Sequence, residues 1–477
     1  MNNKILSFYN RYELVKLNLF FICIILILYF LDFKTDIFLF ISGILSIIFY
    51  SSVMYNEYKS THIKITPIST LSFTLLLMMG VSTLYQGVTI SSSEHFSIGP
   101  VYVKIESLKI AYLMLTVGCF FQFLALQIFR PTERNTFSSD KVIYKKKTIY
   151  ILFIIILLIT KSISLSFLGI ISNLLDIFPI AILSFIIFSN RDQIDFSFKE
   201  KRNFIVLGAV LIFLMNLIVL SKISLLISLL PVVLFYIYEK YSIKKIFLLL
   251  ILFVFIYVEF IQPFVNNTRI LLGRKTHIEL TPDFLINYIF SGDFLYNIDE
   301  YNKKGNSLED AMNRLFEVSA PALVYEITEQ SGFKYGSDLY YIAVALIPRI
   351  LWPDKPYIPR GVYFAKTYLG LGNSVGMSIG GELYWNFGWI GIIIGYFLLG
   401  SVMGRLWNIL GNYPVNNLLN FTFYFILLIL SSAGAEFGSV FIGFIQLIIM
   451  FLILKFIHNL IYPRLKTNYT SLDSIKS

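Results

Sequence analysis

Apolar stretches of roughly 17–25 residues recur along most of this chain, and each is long enough to cross about 30 Å of hydrocarbon as a helix. They lie near 17–33, 36–54, 69–88, 109–129, 147–165, 167–189, 203–220, 223–239, 246–264, 380–404, 417–434 and 438–457. Lys161 with its Ser-rich surroundings interrupts the tract at 147–189, and Lys222 splits 203–239. Only 14% of the 477 residues are charged and 57% are hydrophobic, whereas a soluble domain carries about 25% charged residues. The mean hydropathy of +0.73 agrees. The fold class expected is therefore an all-α polytopic membrane protein with about twelve spans.

The net charge of +10 would suggest nucleic acid in a soluble protein. Here the bases flank apolar spans, so the rule that cytoplasmic loops are positive accounts for them, and no nucleic-acid partner is expected. With the N-terminus in the cytoplasm, 23 Lys and Arg fall on that side, including those of 130–147, 189–202 and 239–245. The short loops and span edges opposite hold five: Lys34, Lys104, Lys109, Lys161 and Lys222. That contrast sets the orientation, and twelve spans return the C-terminus to the cytoplasm. No small-residue cleavage site follows the first span, which reads as an uncleaved anchor. Cys23 and Cys119 both sit in apolar runs and form no disulfide framework or metal cluster.

The organisation expected is a bundle over 1–264, a long extracytoplasmic segment over 265–379, further spans over 380–460 and a cytoplasmic tail over 461–477. Long connections of this kind are usually functional. Within it, 337–351 is apolar but too short to cross, which suits an interfacial or re-entrant helix. Its charge is uneven. Residues 265–276 carry Arg269, Arg274 and Lys275, and 349–366 carry Arg349, Lys355, Arg360 and Lys366 against Asp354 alone, while 277–338 has eleven acids against four bases. Bases at both ends would meet the bilayer surface, where they could anchor to anionic headgroups or hold the phosphates of a lipid-linked substrate.

The stretch Pro348-Arg349-Ile350-Leu351-Trp352-Pro353-Asp354-Lys355-Pro356 resembles the signature of Wzy-type O-antigen and oligosaccharide repeat-unit polymerases. So does the segment from Gly380-Gly381-Glu382-Leu383-Tyr384-Trp385-Asn386-Phe387-Gly388 to Gly391 that follows it. Arg314 followed by Pro321 fits the same pattern. Where relatives carry a Gly-Ser-Arg-like turn, this chain reads Leu220-Ser221-Lys222, so a point charge stands where a bidentate fork would be.

The resemblance implies a GT-C-like architecture in the bacterial inner membrane, with the long loop periplasmic or extracellular. It implies glycosyl transfer from an undecaprenyl-diphosphate-linked glycan to a lipid-linked repeat unit, with inversion and without nucleotide, metal or other cofactor. A chain-length regulator is the partner the family leads one to expect. Such a reaction needs cations where the leaving diphosphate gains charge, and a base for the attacking hydroxyl. Arg349 and Arg269 are the first candidates for cations, then Lys222, Arg314, Lys355 and Arg360, with Trp352 and Tyr384 near the sugars. Glu382 leads the candidate bases, since an acid entering the membrane is expensive unless functional or paired; Glu317, Glu436 and His277 follow. Tyr384, Trp385, Phe387 and Trp389 could stack on sugar rings or form an interfacial belt. A flippase of lipid-linked oligosaccharide and an O-antigen ligase are the alternatives. The first would show two pseudo-symmetric halves, and no internal repeat is evident.

Overall fold

The computed structural model describes residues 3–61, 65–90, 95–98, 101–131, 144–162, 177–189, 196–217, 222–239, 315–347, 360–371, 375–410, 418–431 and 436–473, with isolated positions between and around them. The helices are α1 (Asn3–Phe30), α2 (Thr35–Thr61), α3 (Pro67–Thr89), α4 (Ile105–Phe129), α5 (Lys146–Ser162), α6 (Phe178–Phe188), α7 (Phe198–Leu217) and α8 (Lys222–Tyr238). They continue with α9 (Ser319–Ser331), α10 (Tyr340–Leu346), α11 (Arg360–Leu369), α12 (Ser378–Leu410), α13 (Leu418–Leu430) and α14 (Phe437–Asp473). Strands β1 (His95–Ile98) and β2 (Val101–Lys104) pair antiparallel as a hairpin between α3 and α4. Among the described residues, six helices are long and apolar enough to cross a membrane, and shorter apolar helices accompany them. The chain is an all-α membrane protein, and among the described residues a single small hairpin marks one end of the bundle, the hairpin face. The expected span at 246–264 lies largely outside the described residues, and 167–189 is described only from 177 onward.

Local sequence explains the beginning of α3. Thr66 caps it: its Oγ1 accepts from Ser69 N–H at 3.1 Å, Ser69 Oγ accepts from Thr66 N–H at 2.7 Å, and Pro67 opens the first turn. Leu76–Val81 widens into a π turn, a form often found at functional sites.

The most extensive packing joins α4 to α12, which run side by side. Small residues make this contact. Gly118 lies on the Tyr396 ring, and Gly400 and Gly404, one turn apart, lie on Gln122 and Phe129. Close approach through a small-xxx-small pair supplies the van der Waals contact that apolar lipid cannot drive by exclusion.

The expected span 380–404 is not one straight helix. Gly388 has φ 61° and ψ −144°, a conformation open to glycine, and there the chain reverses. A Cβ on Gly391 would overlap the Leu383 carbonyl oxygen, one on Gly395 the Leu383 side chain, and one on Gly380 would stand 3.4 Å from Tyr396 Oη. In a continuous helix Gly380 and Tyr396 would be about 24 Å apart. Residues 378–387 thus form a short arm that starts inside the bundle, rises to Gly388 at the hairpin face and folds back on 389–410.

Helix α9 lies beside this arm and rises with it. Near its start, the Leu315 carbonyl accepts from Ser82 Oγ at 3.2 Å, and Asn313 Oδ1 accepts from Gln86 Nε2 at 2.6 Å. Pro321 and Val324 face Gly381. Further up, Glu326 accepts from Lys104 N–H at 2.7 Å and Ser107 Oγ at 2.6 Å, placing a carboxylate on the positive end of α4. Beyond α9, Lys334 N–H and Tyr335 N–H donate to the carbonyls of Trp385 and Asn386 at 2.9 and 3.0 Å, satisfying groups the arm leaves open at its end. Within 265–379, expected beyond the membrane, residues 315–331 therefore lie among the bundle helices.

Replacing Gly400 by Ala puts a methyl into the Gln122 backbone, which cannot rotate away. We expect a loss of about 1–3 kcal/mol, read as a lower thermal midpoint of the detergent-purified protein. Gly376→Ala, where a Cβ meets nothing within 4 Å, should leave the midpoint unchanged.

Candidate functional site

The arm carries Glu382 one turn above its start, with the carboxylate fully buried. Three donors from three other elements meet it. Tyr341 Oη of α10 donates to Oε1 at 2.9 Å, Gly438 N–H in the first turn of α14 donates to Oε2 at 3.0 Å, and Arg360 Nη2 of α11 stands 3.5 Å from Oε1. The α14 terminus adds its positive dipole end. Arg360 is itself buried, its guanidinium 4.3 Å from the Tyr341 ring centroid and 6.0 Å from that of Trp385. Lys334 Nζ lies 5.5 Å from the Trp385 ring and 5.1 Å from that of Tyr368. Two cations therefore share one buried indole, an arrangement favoured by the ring quadrupole.

A second carboxylate, Glu436, stands just before α14 and accepts a hydrogen bond from the Met377 backbone. Burial first, then the charge of Glu382, raises its proton affinity, while Arg360 and the Met377 bond oppose the shift. The Tyr341 phenol is raised by burial, then by Glu382, so it stays a donor. Glu382 is committed to its donors, and Glu436 takes a proton more readily than an ordinary carboxylate.

Deeper along the arm lies a third acid. Glu317 borders a cavity of about 20 Å³, with Leu115, Cys119, Gln122, Tyr396 and Ser431, room for roughly one water molecule. The π turn of α3 contributes Met79 to the same wall. Burial pushes the Glu317 carboxyl up to about 7.

Set against the sequence, Glu382 and Arg360 come together, and Glu436 joins them. Arg360 is neither solvated nor turned toward headgroups: it is the counter-charge of Glu382. Tyr384 is buried with its hydroxyl 3.3 Å from Glu329 and its ring among Tyr325, Phe333 and Trp389, so it packs instead of presenting a sugar-stacking face. Trp385 is fully buried against Phe364 and Tyr368, while Phe387, Trp389 and Trp352 remain exposed. Arg349, Arg269, Arg314, Lys355 and His277 lie outside the described residues, as does the side chain of Lys222 at the start of α8. Sequence reasoning missed Tyr341 and Lys334. Tyr341 stands in the short apolar helix expected over 337–351, where a phenol can donate to a buried acid. Lys334 carries no such signal. In comparisons with protein-family models, curated proteins and solved structures, nothing matches this chain.

Two outcomes follow from these geometries. Arg360→Met strands a buried carboxylate and should lower stability by about 3–5 kcal/mol; Glu382→Gln should be milder, and Arg360→Met with Glu382→Gln should recover part of the loss, a coupling that a double-mutant cycle of chemical melts measures. The folded state holds the Glu317 proton more tightly than the unfolded chain. Its contribution is therefore complete below the ordinary value of 4.5 and is lost as pH rises toward about 7. Thermal midpoints from pH 4 to 8 should fall in that window for the native chain, and Glu317→Gln should flatten the fall.

Proposed function

We propose that this chain polymerises lipid-linked oligosaccharide repeat units at the extracytoplasmic face of the bacterial inner membrane. In that reading the hairpin face is extracytoplasmic and both termini are cytoplasmic. The observation that carries it is the setting of Glu382, the acid of the Gly-Glu-x-Tyr-x-Asn segment at 381–386. It lies buried beside Arg360 and within electrostatic reach of Glu436, where the re-entrant arm begins.

The chemistry runs as an inverting displacement. The acceptor sugar's hydroxyl oxygen attacks the donor's anomeric carbon, the carbon–oxygen bond to undecaprenyl diphosphate breaks, and the hydroxyl proton passes to Glu436, whose proton affinity burial raises. Arg360 faces the diphosphate as it gains charge. Lys334, on the same indole, is placed to assist. Glu382 positions Arg360 and Tyr341, and does not itself take the proton.

The test is genetic and then chemical. Deletion of the gene should leave surface glycan with at most one repeat unit, and chains carrying Arg360→Gln or Glu436→Gln, present at normal abundance, should reproduce that phenotype. Normal long chains in either variant would refute the assigned roles. Internal accumulation with no surface repeats would point to a flippase, and polymer retained on carrier lipid to a ligase. Reconstitution with a synthetic undecaprenyl-diphosphate-linked repeat unit should give a ladder both with and without chelator; a ladder only with added metal overturns the metal-free mechanism.

A further inference from the structure

The turn between α1 and α2, the hairpin and the start of α4 enclose a cleft of about 570 Å³ on the hairpin face, lined by Asp32, Lys34, His95, Lys104, Glu106 and Lys109 among others. Three of its lysines are three of the five bases that the sequence leaves on short loops and span edges at that side of the membrane. Bases are sparse there because the opposite side takes them, so their convergence on one hollow calls for a cause. Structural pairing explains only one. Lys109 meets Asp32 at 3.0 Å. Lys34 and Lys104 are exposed, and neither makes an ion pair among the described residues. They come from distant parts of the chain, so the hollow is a product of the fold and not of a local basic run.

The walls outside the cleft are apolar. Phe30, Leu31 and Ile37 are exposed on α1 and α2 at that level, and Phe33 lines the cleft itself. A phosphate held by Lys34 and Lys104 would have hydrocarbon-compatible surface directly beside it. We propose that this cleft is a binding site for the phosphate of an anionic phospholipid headgroup, with its acyl chains along α1 and α2. The lysines supply charge and donors; Asp32 and Glu106 at the rim discriminate against more highly charged anions and accept from a headgroup hydroxyl. The site is remote in sequence from the Arg360–Glu382 pair and does not depend on the reaction assigned to that pair.

The probe is phosphatidylglycerol against phosphatidylcholine, both with the same acyl chains, titrated onto the full-length detergent-purified chain and followed by native mass spectrometry. Phosphatidylglycerol should be retained at about tenfold lower concentration. Lys34→Gln and Lys104→Gln should each weaken it about fivefold without changing retention of phosphatidylcholine. Both positions are exposed, so the variants should fold, and an unshifted thermal midpoint verifies that they do. Equal retention of the two lipids, or a lipid preference that survives in the Lys34→Gln, Lys104→Gln double variant, overturns the site. Inorganic phosphate displacing phosphatidylglycerol at equal concentration assigns the cleft to soluble phosphate and overturns the lipid source.

Discussion

A carboxylate that enters a bundle of apolar helices needs its counter-charge and hydrogen-bond donors there with it. Glu382 recruits them from α10, α11 and the first turn of α14. Three segments separated by long stretches of chain are thereby gathered around the start of one short arm. Remove the acid, and Arg360 and the Tyr341 hydroxyl lose the carboxylate on which both converge in the interior. The packing around them follows the same centre: the Tyr341 ring lies against Gly438, where a Cβ would have no room, and Trp385 covers the guanidinium.

The arm itself solves a backbone problem. Non-helical chain within a membrane bundle must be sheltered by protein. Here α9 and the segment after it provide that shelter, rising beside the arm and closing its carbonyls with Lys334 and Tyr335. Gly388 makes the reversal sterically cheap, and Gly391 and Gly395 let the returning helix lie directly on Leu383. The bend and the charge cluster are parts of one arrangement, because only an arm that begins inside can put an acid inside without a full span on either side of it.

Much of the bundle was legible because hydrocarbon thickness writes itself into run length: α1 to α4 and α14 lie where apolar stretches called for them. The reversal at Gly388 was not. Phe387 to Ile394 stays apolar through the turn, and hydropathy measures solvent preference without direction. The site was half legible. Glu382 stood out as an acid at a membrane entry, whatever family it resembles. Arg360 could not be ranked above Arg349 or Lys355, since a base in a Pro-rich stretch gives no sign of its depth; only the acid across from it decides. Tyr384 and Trp385 could stack on sugars or form a belt by their type alone, but a ring's type does not say which side of a helix is covered, and here α9 and α11 cover both. Lys334 was invisible because its role comes from the two backbone bonds that dock its neighbours on the arm.

Those two bonds have a mechanical meaning. The exposed segment around Phe333 and Tyr335 is tied to the upper end of a short rod of under three turns, whose lower end holds Glu382. The rim segment and the acid that grips Arg360 thus stand on one continuous support, docked at one end and charged at the other.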